Sequence, residues 1–191
     1  MMDLFTAMNE RQSCRNFLDN PVDRADIEKI LEAGIAAPSP MNSQPWEFIV
    51  ITRDSIKAQL CKDAESCKTY IVEKSQWKWL EQYSVALLKT VPVIIVVTGD
   101  KTKSGADIYS ADGPCAYQHA CAAAIQNMLL AAHTLGLGSL WYTLFDRQMV
   151  KDLLEIEENK IPLAFVCLGK PGKSAAKTPR KPLEKKARFI D

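Results

Sequence analysis

Two histidines are a thin supply for a chain of 191 residues. Both, His119 and His133, fall in one apolar segment, so no Ser-His-Asp or Cys-His spacing can be argued from them. The expectation for each is a buried, hydrogen-bonded side chain. A surplus of one charge is also missing. Lys plus Arg is 24, Asp plus Glu is 23, and the net charge is +1. That leaves no general attraction to nucleic acid or to an anionic membrane. The strand-like segments also lack the stacking aromatics of a nucleic-acid-binding sheet. The longest apolar strings, "VPVIIVV" and "LLAAHTLGLG", fall well short of a bilayer span. Met1 to Glu10 has neither the basic start nor the apolar run of a secretory signal.

Metal chemistry finds no support either. Cys14, Cys61, Cys67, Cys115, Cys121 and Cys167 form no CxxC pair and have no His at ligand spacing, which argues against zinc and iron–sulfur clusters. No carboxylate cluster suggests a metal site. Spread through apolar segments, the cysteines read as reduced thiols of a cytoplasmic protein. Two glycine motifs fail on spacing. "GKPGKS", Gly169 to Ser174, has two residues between its glycines where a phosphate loop needs four. "GLGS", Gly136 to Ser139, lacks a third glycine and follows a helical pattern rather than a strand, so it reads as a helix stop and a turn.

What the chain does have is a regular succession of elements. Hydrophobic residues at 47% and charged residues at 25% suit one globular domain. Asp3 is placed to cap a short helix from Leu4 to about Glu10. Asp23 is placed to cap "RADIEKILEAGIAA", whose Ile27, Ile30, Leu31, Gly34 and Ile35 share one helical face. Pro38 and Pro40 stop that helix, and "EFIVIT" follows as a strand. Asp54 caps a helix through about Asp63. From Ala64 to Lys89 helix is the better reading, with Trp77, Trp79 and Tyr83 assigned to core by default and to a lid over a pocket or a partner surface as the alternatives. "VPVIIVVTG" is a strand buried on both faces. Gly113 to Leu135 is a central buried helix, ended by Gly136. "SLWYTLF" is extended, Asp146 caps a helix through about Ile156, and "IPLAFVCLG" is the last buried strand. The tail from Lys170 to Asp191 is rich in Pro and Lys and has no core pattern of its own. The outline is a mixed α and β domain with its sheet between helices.

Two stretches remain that this outline does not explain. "APSPMNSQPWEF", Ala37 to Phe48, spends three prolines and several amide and hydroxyl side chains on a single helix-to-strand connection. "RQSCR", Arg11 to Arg15, sets two guanidinium forks beside a serine hydroxyl, a donor set suited to phosphate.

In order and spacing, "RQSCRNF…PV", a helix ending "AAPSPMNSQPW", and then "EFIV" resemble the nitroreductase family of FMN-dependent oxidoreductases. "QNMLLAAHTLGLGSLW" resembles the family's central helix and flavin-facing strand, and "TPRKPLEKK" its C-terminal arm. The resemblance implies an α+β nitroreductase-like fold, a mixed central sheet sandwiched by helices, with residues 1–191 as one FMN-binding domain. Within it, about 64–89 would be a lid and 170–191 an arm extending to the partner subunit. It implies an intertwined homodimer with FMN at the interface. Arg11, Ser13 and Arg180 match residues that hold the flavin phosphate and ribityl chain, with Gln12 contributing through its backbone. Arg15 matches the basic residue near the N1 and O2 edge of the ring. Pro38, Ser39, Pro40, Asn42 and Gln44 match the loop bordering flavin from the partner subunit. Trp141, Tyr142 and Thr143 match the segment whose backbone approaches N5.

The activity implied is ping-pong transfer of hydride from NADH or NADPH to a nitroaromatic, quinone or similar small-molecule acceptor. The flavin carries the chemistry, and no protein group is assigned as catalytic. Alternatives are a flavin-binding regulatory or storage protein without turnover, or another activity of the fold: reductive dehalogenation, flavin breakdown or azoline dehydrogenation. The sequence departs from the family pattern at Thr143 and Leu144, where larger members carry Glu-Gly.

Overall fold

The computed structural model describes residues 2–173 and 177–190. Ser174 of the "GKPGKS" stretch and Ala175, Ala176 and Asp191 of the expected arm lie outside the described residues. Among the described residues, six α-helices and four strands follow in the order α1 (Leu4–Glu10), α2 (Arg24–Ile35), β1 (Trp46–Ile51), α3 (Asp54–Lys74), α4 (Leu87–Thr90), β2 (Val93–Asp100), α5 (Ala116–Thr134), β3 (Gly138–Tyr142), α6 (Arg147–Leu154) and β4 (Lys160–Gly169).

The four strands form one sheet in the order β1-β2-β4-β3, with every neighbouring pair antiparallel. Outside the named strands, an isolated parallel bridge pairs Ser13 with Ser139 on the β3 edge. All eight residues of β2 are buried, as its run of β-branched residues requires. Strand alternation then divides the core. Val93, Ile95 and Val97 of β2, with Ala164, Val166 and Leu168 of β4, pack against Ile27 and Ile30 of α2 and Cys121, Ile125 and Met128 of α5. Ile94 and Val96, with Phe165 and Cys167, face Leu60 and Ala64 of α3, Leu88 of α4 and Val150 of α6. The result is helices, sheet, helices: an α+β fold whose period-2 strands supply both faces.

α5 is the buried spine expected from its composition, with nine buried residues. Gly34 lets α2 approach it. A Cβ there would lie 3.0 Å from Met128 Cγ, and Asn127 Nδ2 donates to the Ala33 carbonyl nearby. Asp3 and Asp146 act as caps, each carboxylate accepting two backbone N–H groups of its helix. Asp23 occupies its cap position without a side-chain bond.

Several expectations change. Asp54 is the first residue of α3 rather than its cap; Arg53 holds the cap position, and Asp54 pairs instead with the buried Lys57 at 2.9 Å. α3 does not stop near Asp63 but runs to Lys74, because Cys61 and Ala64 continue the buried stripe and no breaker intervenes. Beyond it the chain from 75 to 86 is largely irregular, with one 3-10 turn at Lys78–Gln82, so only part of 64–89 is helical. Trp77 and Trp79 are not core: they are 55% and 64% exposed. Ile35, placed on the buried face of α2, is exposed in its last turn. His119 is exposed rather than buried, with its Nε2 3.9 Å from Cys115 Sγ. His133 has a buried Nε2 without the hydrogen-bond partner that was expected. All six cysteines are free. No described helix is long and apolar enough to cross a membrane.

Candidate functional site

The "RQSCR" segment leaves α1 and runs beside the far edge of the sheet. Its backbone is fixed at several points. Cys14 N–H donates to the Ser139 carbonyl at 2.8 Å, Leu18 N–H to Lys170 at 2.9 Å, and Gly172 N–H returns to Asn16 at 2.9 Å. The fit is close: a Cβ on Gly138 would stand 2.7 Å from Cys14 Sγ, so glycine is required where segment and strand touch. The segment is thereby held against the start of β3 and the exit of β4.

A cavity of about 630 Å³ opens here. Arg11, Gln12, Ser13 and Arg15 line one side; Lys177, Thr178, Pro179 and Arg180 of the tail line the other. The structure therefore brings Arg180 to Arg11 and Ser13 across the length of the chain. Among the described residues no carboxylate lies within ion-pair distance of Arg11, Arg15 or Arg180. Burial, and then the charge of Arg180, push Arg11 below the usual arginine range. Two guanidinium groups facing each other without an anion are held at an electrostatic cost, and an anion between them relieves it.

A second cavity of about 510 Å³ lies on the other side of the same segment, bounded by Cys14, His133, Ser139 and Lys173. Ser139 Oγ and His133 Nε2 are both buried there with no partner. A third, of about 360 Å³, begins at Arg15 and is lined by Trp141, Tyr142 and Thr143 together with Trp77 and Trp79. Tyr142 is buried against Phe165, ring centroids 6.0 Å apart, and burial pushes its phenol well above the ordinary range. Trp141 and Thr143 alternate to the exposed side of the strand. Arg15 is common to all three cavities, so they run together along one face of the molecule.

Pro38, Ser39, Pro40, Asn42 and Gln44 stand elsewhere. None lines these cavities. Their loop enters β1 at Trp46, opposite Gly99 at the end of β2, whereas Ser13 reaches the sheet at Ser139, opposite Leu168 and then Val93 at the start of β2. From Val93 to Gly99 is about 20 Å at strand rise, and three strand spacings add about 14 Å across. The two regions occupy opposite corners of the sheet.

The loop is also strained. Met41, Asn42 and Gln44 have φ of 53°, 53° and 44°, left-handed conformations that side-chain-bearing residues adopt at a cost. Internal bonds hold it: Gln44 N–H donates to Ser39 Oγ at 3.0 Å, and Gln44 Nε2 to Asn42 Oδ1 at 3.2 Å. Ser43 Oγ fastens it to the Lys103 carbonyl, and Pro40 packs on the turn at Gly105.

Ser139 and the tail residues Lys177 and Thr178 were not legible as site residues. Ser139 is one serine in a turn-like stretch, and nothing in the sequence marks its isolated hydroxyl. Lys177 and Thr178 become visible only once Arg180 is brought to Arg11.

Comparison with known proteins agrees with this fold. The description "Nitroreductase family" matches residues 8–170. A protein of Methanothermobacter thermautotrophicus with the provisional name NADH dehydrogenase/NAD(P)H nitroreductase is 31% identical over 177 residues, covering 91% of this chain and 80% of that one. A solved BluB-like flavoprotein from Clostridium difficile 630 superposes with a TM-score of 0.83 at 26% identity, over all of both chains. The fold is shared as well with an iodotyrosine deiodinase solved with FMN and 3-iodo-L-tyrosine, at a TM-score of 0.82, 24% identity, and 94% and 96% coverage of the two chains. With its arginine-lined cavity, its α+β fold and a match spanning most of its length, this chain belongs to the nitroreductase family.

Proposed function

We propose that the protein is an FMN-dependent oxidoreductase that takes hydride from NADH or NADPH and reduces a small nitroaromatic, quinone or similar acceptor. The observation that carries this reading is the cluster of Arg11, Arg15 and Arg180, three guanidinium groups on one cavity without a carboxylate partner among the described residues. That donor set fits a phosphate. Arg11 and Arg180 would hold it as planar forks and Ser13 as a hydroxyl donor. The orphaned Ser139 hydroxyl and the backbone of Gln12 would serve the polar chain behind it.

FMN, when bound, supplies the hydride and electron chemistry, so no side chain needs to act as acid or base. The protein's contribution is position and charge. Arg15, where the three cavities meet, would face the ring edge on which negative charge collects during reduction and so raise the potential. Trp141 to Thr143 would present their backbone along the strand β3. Of the expected lid 64–89, the irregular stretch 75–83 would cover the acceptor side, since Ala64 and Leu88 are core, and the single domain 1–191 would send the part of its arm 170–191 beyond Arg180 to the partner subunit.

The opposite-corner placement of Pro38 to Gln44 supports a homodimer. A rigid loop that lines none of the cavities described above, held in costly conformations, suits contact with another copy's flavin. The expected compartment is the cytoplasm.

The purified protein should be yellow, with the visible spectrum of bound flavin. NADH or NADPH should bleach it, and menadione or a nitroaromatic should restore the colour. A colourless protein that fails to take up added FMN contradicts the proposal. Bound flavin that no nicotinamide donor bleaches leaves the alternative of a flavin-binding protein without turnover.

A further inference from the structure

We infer that Trp77 and Trp79 are the specificity-determining residues of the acceptor pocket, and that the pocket takes small, flat, neutral rings rather than amino-acid zwitterions. The inference rests on the functional reading above and names its substrate class.

Trp77 and Trp79 follow α3 on a largely irregular stretch that holds one 3-10 turn. Their rings stack at 6.2 Å between centroids with 29° between planes, yet both remain more than half exposed. Two large aromatic side chains left in water on a short turn are costly, and burial against a flat ligand would recover that cost. They do not sit on an isolated surface. With Tyr83 from the same stretch and Trp141 and Tyr142 from β3, they line the cavity that begins at Arg15. Trp77, Trp79 and Tyr83 from one part of the chain and Trp141 from another thus border about 360 Å³, while the Tyr142 ring is turned into the core against Phe165.

The charge on the walls narrows the ligand further. Among the described residues, Arg15 is the only charged one lining the cavity. An amino-acid zwitterion brings an ammonium group that needs a carboxylate or several acceptors, and no acidic side chain lines these walls. Electron-poor rings suit them better, because indole faces are electron-rich and stack well on electron-deficient partners. Indole stacking is shape-tolerant, so the pocket should accept quinones and nitroaromatics of similar size and reject a ring that carries a zwitterionic tail.

The test compares the wild-type holoprotein with Trp77→Ala/Trp79→Ala and Trp77→Phe/Trp79→Phe. Menadione, added to the oxidised protein, should quench tryptophan fluorescence along a saturating curve in the wild type, and most of that quenching should vanish in the alanine pair. In turnover, KM for menadione should rise about tenfold in the alanine pair, as expected for the loss of two stacking faces. The rise should be several times larger than that for ferricyanide, which has no ring to stack. The phenylalanine pair should recover most of the affinity. L-Tyrosine should not compete with menadione even at tenfold excess. An unchanged menadione KM in the alanine pair with flavin content intact, or effective competition by L-tyrosine, overturns the inference and leaves the oxidoreductase reading standing. A wild type without flavin or donor oxidation strikes that reading instead, and the quenching curve still reports whether the two tryptophans meet the ring.

Discussion

The corner built around Arg11 and the corner built around Asn42 are made in opposite ways. At the first, backbone hydrogen bonds to β3 and β4 are satisfied while the side-chain charges are not: Arg11, Arg15 and Arg180 face a cavity without an acid. At the second, the side chains bond to one another while the backbone carries strain, with three left-handed residues in four positions. The first is incomplete without an anion. The second is complete in itself, encloses no cavity among those described, and holds a costly shape. Each lacks what the other offers, which is the physical case for a site assembled from two chains.

Removing the charge from the first corner should have the largest effect. Arg11→Ala with Arg180→Ala should weaken FMN at least 100-fold, given about 1.5–3 kcal/mol for each charge-assisted bond. Gel-filtered protein would then be colourless, and retention of a full complement of flavin would remove the phosphate role from this corner. At the second corner, Asn42→Ala with Gln44→Ala should weaken FMN about tenfold while the far-ultraviolet circular dichroism stays unchanged. Unaltered flavin content there would reduce the loop to a connection.

Gly138→Ala probes the seam that holds "RQSCR" to the sheet. Its Cβ would collide with Cys14 Sγ, so a loss of roughly 1–3 kcal/mol, seen as a fall of several degrees in Tm, is expected. An unshifted Tm would mean that the segment yields readily. Arg15→Gln should leave flavin bound but lower its two-electron potential by about 30–60 mV, since 30 mV corresponds to about 1.4 kcal/mol; an unchanged potential would place Arg15 away from the ring edge. The smallest effect concerns a thiol on neither corner. Burial first, and then the charges of Asp63 and Asp146, push Cys67 up to about 11. At pH 8 it is therefore protonated, and iodoacetamide should alkylate it far more slowly in the native than in the unfolded protein. Equal rates would contradict that environment.

Much of this comparison was legible in the sequence. The β-branched run of β2, the apolar circumference of α5 and the capping aspartates Asp3 and Asp146 are local signals that tertiary packing reinforces. The stretch after Asp63 was harder. A low contrast between faces hides where α3 ends, and Trp77 and Trp79 among charges look like core until the fold leaves them outside, whereas Tyr83 does pack against the core. The two notable stretches were visible as patterns of residue type, but their separation across the sheet was not. Strand order decides that, and strand order depends on contacts far apart in sequence. The same is true of Ser139, whose buried hydroxyl gains meaning only beside Ser13.

The claim that the two corners serve one site across a dimer can be tested by complementation. Arg11→Ala/Arg180→Ala and Asn42→Ala/Gln44→Ala chains, carrying different affinity tags, would be co-expressed and the doubly tagged species isolated. If the corners of different chains meet, one site of that heterodimer is wholly intact and the other is doubly damaged. The account predicts about half the wild-type FMN per dimer, bound with wild-type affinity. If each site were instead built within a single chain, every site would carry one defect. A heterodimer in which no site binds FMN with wild-type affinity would contradict the account.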